Sequence, residues 1–326
     1  MRSVSLWPLG EHHGGNRYVQ SPLFADLYGF YSTTRRNTPL ACILLHRLQR
    51  THSHWRIVKD IMQSFLLIVV CVFCAITASS CTSLPRIAVG PTARSNQEAL
   101  ALLDASSARA GHPWQRMSDV TVRYNGDWTR LVPKLQPVLA DVSYRKTSTE
   151  RYQPKARRVV QTHLGPAGTK VVVRAGTALS LTRNGILIGD TEERAAAALV
   201  ADAYTVFTFG SSVLRARGTG WHIIGERTLG GERCTLVSGI MKPGFGEAAS
   251  DAVIAWIGHE TKRLHRVQLT LNGLATTAGA DVDVTFFDFQ PGPSGTEWPR
   301  HFIEYVRRPL NLKAHEWRMT SLQVVR

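Results

Sequence analysis

The chain has 326 residues and carries 39 Lys/Arg against 24 Asp/Glu, a formal net charge of +15. That length allows one large or two ordinary domains. The charge is scattered and the aromatic residues form no RNA-binding pattern, which argues against nucleic acid as a partner. Of the five cysteines, only Cys81 and Cys234 lie from position 81 onward, too few for a disulfide framework or a zinc ligand set.

Residues 1 to about 55 show no sustained period of 2 or 3.6, and they are expected to be a non-native or disordered extension absent from the working protein. The effective start is expected near Arg56 or Met62. Phe65 to Ile76 is an unbroken apolar run of twelve residues, followed by Thr77-Ala78-Ser79-Ser80 and Cys81. A helix of that length rises about 18 Å, too short for a hydrocarbon core of about 30 Å. It suits the apolar region of a secretory signal, with small residues at a cleavage site. A buried core helix ending in Cys is the alternative. The segment resembles the lipobox of bacterial lipoproteins, although Ala78 stands where Leu is usual. The resemblance implies a signal peptide over 56–80, lipidation (palmitate) at Cys81, and a tether over 81–94 with Pro85, Gly90 and Pro91. In a Gram-negative source, Thr82 would imply sorting to the outer membrane, facing the periplasm.

Ser95 and Glu98 form a capping-box pattern, and a helix is predicted from about Asn96 to Arg109. Period-2 alternation then begins at Val120, Val122 and Tyr124, with Asn125-Gly126 as a hairpin signal. Strands are predicted at 142–151, 157–164, 170–175 and 178–183. One helix interrupts them: Asp190 caps it, Glu192 and Glu193 occupy its first turn, and an Ala-rich body runs to about Phe207, with Gly210 as a stop. Its apolar face, with Leu199, Tyr204 and Phe207, is either ordinary core or the lining of a cavity. Seven further strands follow between Trp221 and Val325, separated by hairpin turns. The predicted class is α+β with an antiparallel sheet.

The segment AWIGHETKRLHRVQLTLNG, residues 255 to 273, resembles a hairpin of the LolA/LolB-like lipoprotein carriers, with Gly258 in place of Asp and His265 in place of Pro. Over residues 95–326 the resemblance implies a curved antiparallel sheet, a half-open β-barrel, whose concave face is covered by an N-terminal helix and one inserted helix. It implies a non-enzymatic envelope lipoprotein, held to a membrane by acyl chains, that binds a lipid or other hydrophobic ligand. The expected lining is drawn from Val172, Leu181, Leu199, Tyr204, Phe207, Trp256, Leu269 and Phe286. A structural lipoprotein binding another envelope protein and a cryptic hydrolase are the alternatives. Nucleotide-binding, zinc-protease and serine-hydrolase motifs are missing, and no cofactor or metal is expected. Asp281 and Asp283 share a strand face, as an acid pair or as solvated charge. Arg157-Arg158 and Arg307-Arg308 read as exposed charge.

Overall fold

The computed structural model describes residues 93–277, 279–307 and 311–326. The signal segment, Cys81 and most of the tether lie outside the described residues. Alternation decides most of what is seen. In β1 (Asp119–Trp128), Val120, Val122 and Tyr124 are buried while Arg123 and Asn125 face water. The same pattern builds β2 (Thr147–Gln153), β3 (Arg158–Gly165) and β4 (Gly168–Ala175); it fades in β5 (Ala178–Arg183), which buries Leu181, and in the exposed edge strand β6 (Ile186–Leu187). A second series follows: β7 (Gly218–Leu229), β8 (Glu232–Met241), β9 (Asp251–Gly258), β10 (Leu264–Thr270), β11 (Asp281–Pro291), β12 (Glu297–Val306) and β13 (Leu312–Val325).

The strands form one curved, unclosed antiparallel sheet in the order β6-β5-β4-β3-β2-β1-β13-β12-β11-β10-β9-β8-β7. Two meanders are therefore joined where β1 pairs with β13, and β6 and β7 are the two edges. The chain between β6 and β7 must cross from one edge to the other. It does so as α2 (Thr191–Phe209) and α3 (Ser211–Arg217), the second helix following where the sequence predicts one alone. Gly210 explains the difference. Its φ of 51° and ψ of −132° fit a glycine, and the chain bends by 119° there and restarts as helix. Asp190 caps α2 as predicted, its carboxylate accepting a hydrogen bond from Glu193 N at 2.8 Å.

The first helix, α1 (Ala93–Arg109), packs on β7, β9 and α3 and buries Ala99 and Leu103. Ser95 lies inside it and accepts a hydrogen bond from Ile223 N, so the predicted capping box is not what starts the helix. Asn125-Gly126 is not a turn either. Strand β1 runs through it, and a Cβ at Gly126 would meet Glu316 O and the Trp317 ring. That glycine serves close cross-strand approach. One buried cluster unites α1, α2 and α3 with inward side chains of both meanders. No single helix among the described residues is long and apolar enough to cross a membrane.

Candidate functional site

Val172, Leu181, Leu199, Tyr204, Phe207, Leu269 and Phe286 all belong to the buried cluster on the helix-covered face. Trp256 does not, contrary to expectation. In β9 the residues Val253, Ala255 and Ile257 join the main cluster, so the alternation turns Trp256 to the other face. There it packs with Cys234, Leu236 and Ile254, and the Arg266 guanidinium lies 5.0 Å from its ring centroid. A strand read one residue out of step inverts every side chain.

The inner face of β2–β4 is unexpectedly polar. Glu150, Gln161, His163, Lys170 and Arg174 are buried beside Tyr152, Val159 and Val172. Their neighbour Arg145, 2% exposed, is the hub. It donates to Leu139 O at 2.8 Å and to Tyr204 Oη at 2.7 Å. Its guanidinium carbon stands 5.0 Å from the Trp128 ring, 5.3 Å from Tyr204 and 5.9 Å from Trp317. Tyr204 Oη is 3.2 Å from His315 Nε2, which is 2.7 Å from Glu304 Oε2.

Burial raises the Glu304 carboxyl to about 7 against the pull of Arg145. Burial, aided by Arg145 and Lys313, holds His315 well below its usual range. Both shifts favour the neutral forms of Glu304 and His315 in this buried contact. Burial also raises Glu150, to which Ser148 donates at 2.7 Å and Tyr152 donates as well. Lys170 reaches Asp141 at 2.5 Å. The space enclosed by Arg145, Gln161, His163, Lys170 and Val172 admits no water-sized sphere. These groups bond to one another and to the backbone inside the core and so fix the relative positions of the sheet and α2.

Two open spaces border α2. A cleft of about 210 Å³ lies between α2 and the rim of β2–β4, lined by Tyr152, Val159, Arg174, Thr177, Thr205 and the loop at Pro243–Gly246, among others. Gly246 has φ +64°, and a Cβ there would press on the Leu199 backbone, so the loop lies against the helix. A narrower crevice of about 40 Å³ lies near the junction of α2 and α3, lined by Phe207, Phe209, Leu264, Phe286 and Phe289 and by the Glu297 carboxylate with its partners Arg109 and Arg263. Phe209 stands next to both. It lines the crevice, and its ring packs edge-on against Trp114 at 5.1 Å and Tyr152 at 5.3 Å, both of which line the cleft. Neither space reaches the roughly 300–1,000 Å³ of ordinary ligand pockets.

Asp281 and Asp283 are occupied on the outer side. Arg307 lies 3.3 Å from Asp281 and 3.1 Å from Asp283, and Arg266 lies 3.3 Å from Asp283. Among the described residues no cluster of His, Cys, Asp or Glu is arranged to hold a metal ion. Sequence reasoning missed the arginines at the cleft. The signal was present for Arg174: the alternation that turns Val172 inward also turns Lys170 and Arg174 inward. Arg157 is exposed and Arg158 half-buried, as the surface-charge reading has it; what the sequence does not show is that both line the same cleft as Arg217.

No protein-family profile and no curated protein matches the sequence. Solved structures similar to the chain include a DUF1329 family protein from Desulfovibrio piger, 9% identical, covering 69% of this chain and 92% of its own, with TM-score 0.43. A LolA superfamily protein from Nitrosomonas europaea is 9% identical over 68% of this chain and 93% of its own, with TM-score 0.39. Lipoprotein LppX from Mycobacterium tuberculosis is 12% identical over 53% of this chain and 89% of its own, with TM-score 0.24. At these scores the likenesses carry no argument about function.

Proposed function

We propose that the chain is an envelope lipoprotein that holds a lipid or other acyl-bearing ligand between its curved sheet and the helices that cross it, without catalysing a reaction. The observation that supports this most directly is the cleft at the rim of α2. It has an apolar wall and several arginines, and Phe209, whose ring touches two residues of its lining, also lines a crevice over β10 and β11. An acyl tail that displaces this ring would exchange protein contacts for equivalent apolar contacts. Ten methylenes leaving water contribute about 8 kcal/mol, which sets a ceiling on what the opening of α2 and α3 can cost. The anchor in this reading is Cys81, acylated and tethered by residues 81–94, with the domain on the periplasmic side of the outer membrane.

The test is binding of a fluorescent fatty acid to the detergent-free full chain. Saturable binding is expected, weakened by Thr205→Trp, which fills the cleft, and unchanged by Trp256→Phe on the opposite face. Thermal unfolding of each variant checks that it is folded. A folded wild-type protein that binds no such probe and carries no lipid contradicts the proposal.

A further inference from the structure

The cleft holds more positive charge than a purely apolar ligand requires. Arg157 and Arg158 enter it from the turn before β3 and the first residue of that strand. Arg174 comes from the end of β4 and Arg217 from the last residue of α3. The single carboxylate in the lining is Asp202 of α2. That carboxylate is already engaged. Its Oδ2 is 3.2 Å from Arg174 Nη2 and accepts a hydrogen bond from Gly246 N at 2.9 Å. Arg174 also donates to Thr177 O and Gly246 O, both at about 2.8–2.9 Å, which fixes a buried guanidinium at the back of the cleft. Its Nε is buried with no hydrogen-bond partner among the described residues.

Neither Arg157 nor Arg217 has an ion pair among the described residues. Burial lowers Arg217 from the ordinary guanidinium range, with Asp202 opposing and Arg157 and Arg174 adding to the fall. Burial likewise raises Asp202, against Arg174 and Arg217. Arg174 is buried, Arg158 and Arg217 are half-buried and Arg157 is exposed at the rim, so three positive charges in excess of one carboxylate converge where water screens them unevenly, and an anion relieves their repulsion. Guanidinium groups suit a phosphate or carboxylate because their planar N–H donors match its oxygens. A volume of about 210 Å³ is several times the ~30 Å³ share of a water molecule, enough for such a head group but not for a folded partner.

We infer that the cleft is an anion-binding site and that the ligand's head is a phosphate or carboxylate, held by Arg157, Arg158 and Arg217 with Arg174 behind them. This deepens the hydrophobic-ligand reading and rests on it for the position of the tail. The same chemistry would take a free small anion, so the experiment separates the two sources.

Binding to the detergent-free full chain is measured for three probes: lysophosphatidic acid, the monoacylglycerol of the same chain length, and inorganic phosphate. Wild type, Arg157→Gln and Arg217→Gln are compared in buffer of about 0.15 M salt, where distant charges are screened. The expected result is lysophosphatidic acid tighter than monoacylglycerol by about tenfold or more, each substitution removing about that factor and leaving monoacylglycerol unaffected. Both variants should unfold at or above the wild-type temperature without ligand, because each relieves repulsion. Arginine-dependent binding of phosphate with no binding of either lipid would support the anion site and overturn the hydrophobic-ligand reading. Equal binding of the two lipids, indifferent to both substitutions, would overturn the anion site and leave that reading intact.

Discussion

The two halves of the sheet bury their helix-covered faces in opposite ways. In the first meander, β2–β4 present Glu150, Gln161, His163, Lys170 and Arg174 to the interior. In the second, β9–β11 present Val253, Ala255, Val267, Leu269, Val284 and Phe286. The covering helices divide likewise: α2 lies on β3–β5, whereas α1 packs on β7, β9 and α3. A charged or hydrogen-bonded interior is directional, and each group depends on the position of its partner. An apolar interior is non-directional, and any apolar group of the right size can substitute. The β2–β4 face is thus built to hold a geometry, and the β9–β11 face to tolerate an exchange of contacts. In the proposed reading an acyl tail lies over the second half and a charged head at the rim of the first.

Two like-sized substitutions separate the halves most sharply. Arg145→Met should destabilise by about 2–4 kcal/mol, because it strips Leu139 O and Tyr204 Oη of a buried donor and removes the guanidinium from three rings. Leu269→Met should cost less than about 1.5 kcal/mol, because the volume is kept and no polar group is stranded. Urea unfolding measures both, and equal costs would erase the distinction. Phe209 comes next. Phe209→Ala should cost about 3–5 kcal/mol through the cavity it leaves, yet fluorescent fatty acid should bind tighter, because the space that the ring fills beside cleft and crevice opens. Weaker binding by a folded Phe209→Ala protein would place the tail elsewhere.

A smaller effect is tied to pH. Glu304 ionises at about 7 in the folded chain against an ordinary 4.5. The unfolded chain gives up this proton at the lower pH. The stability carried by protonated Glu304 is therefore whole below about pH 4.5, declines as pH rises to 7, and stays lost above. The loss is of the order of 3 kcal/mol. Glu304→Gln should remove this part of the pH dependence, so its stability relative to wild type should rise between pH 4.5 and pH 8. A constant difference across that range would mean that Glu304 is ionised throughout. The smallest expected effect is that of Trp256→Phe, which should leave ligand binding unchanged because the ring packs on the far face.

The strands were legible because period-2 alternation survives where one face is buried. Strand β5 falls at the predicted residues 178–183, and most others differ by a few residues at their ends. Three features were hidden for physical reasons. Gly210 reads as a stop, since only tertiary packing shows that a second helix follows the bend. Gly126 reads as a turn, since its requirement is set by Trp317, almost two hundred residues away. Trp256 was placed on the wrong face, since hydrophobicity marks burial without saying which side of a sheet is meant. In the site, the apolar half was visible as a list of residues. The arginine cleft was not, because its arginines come from three separate segments that only the fold brings together.

The central claim is that the space between sheet and helices takes an acyl-bearing ligand. Native mass spectrometry of the full chain, purified without detergent and then incubated with a sixteen-carbon fatty acid, tests it most directly. The account predicts a one-to-one adduct, formed by wild type and reduced in Thr205→Trp. A folded, lipid-free wild-type protein that remains at its unliganded mass would contradict it.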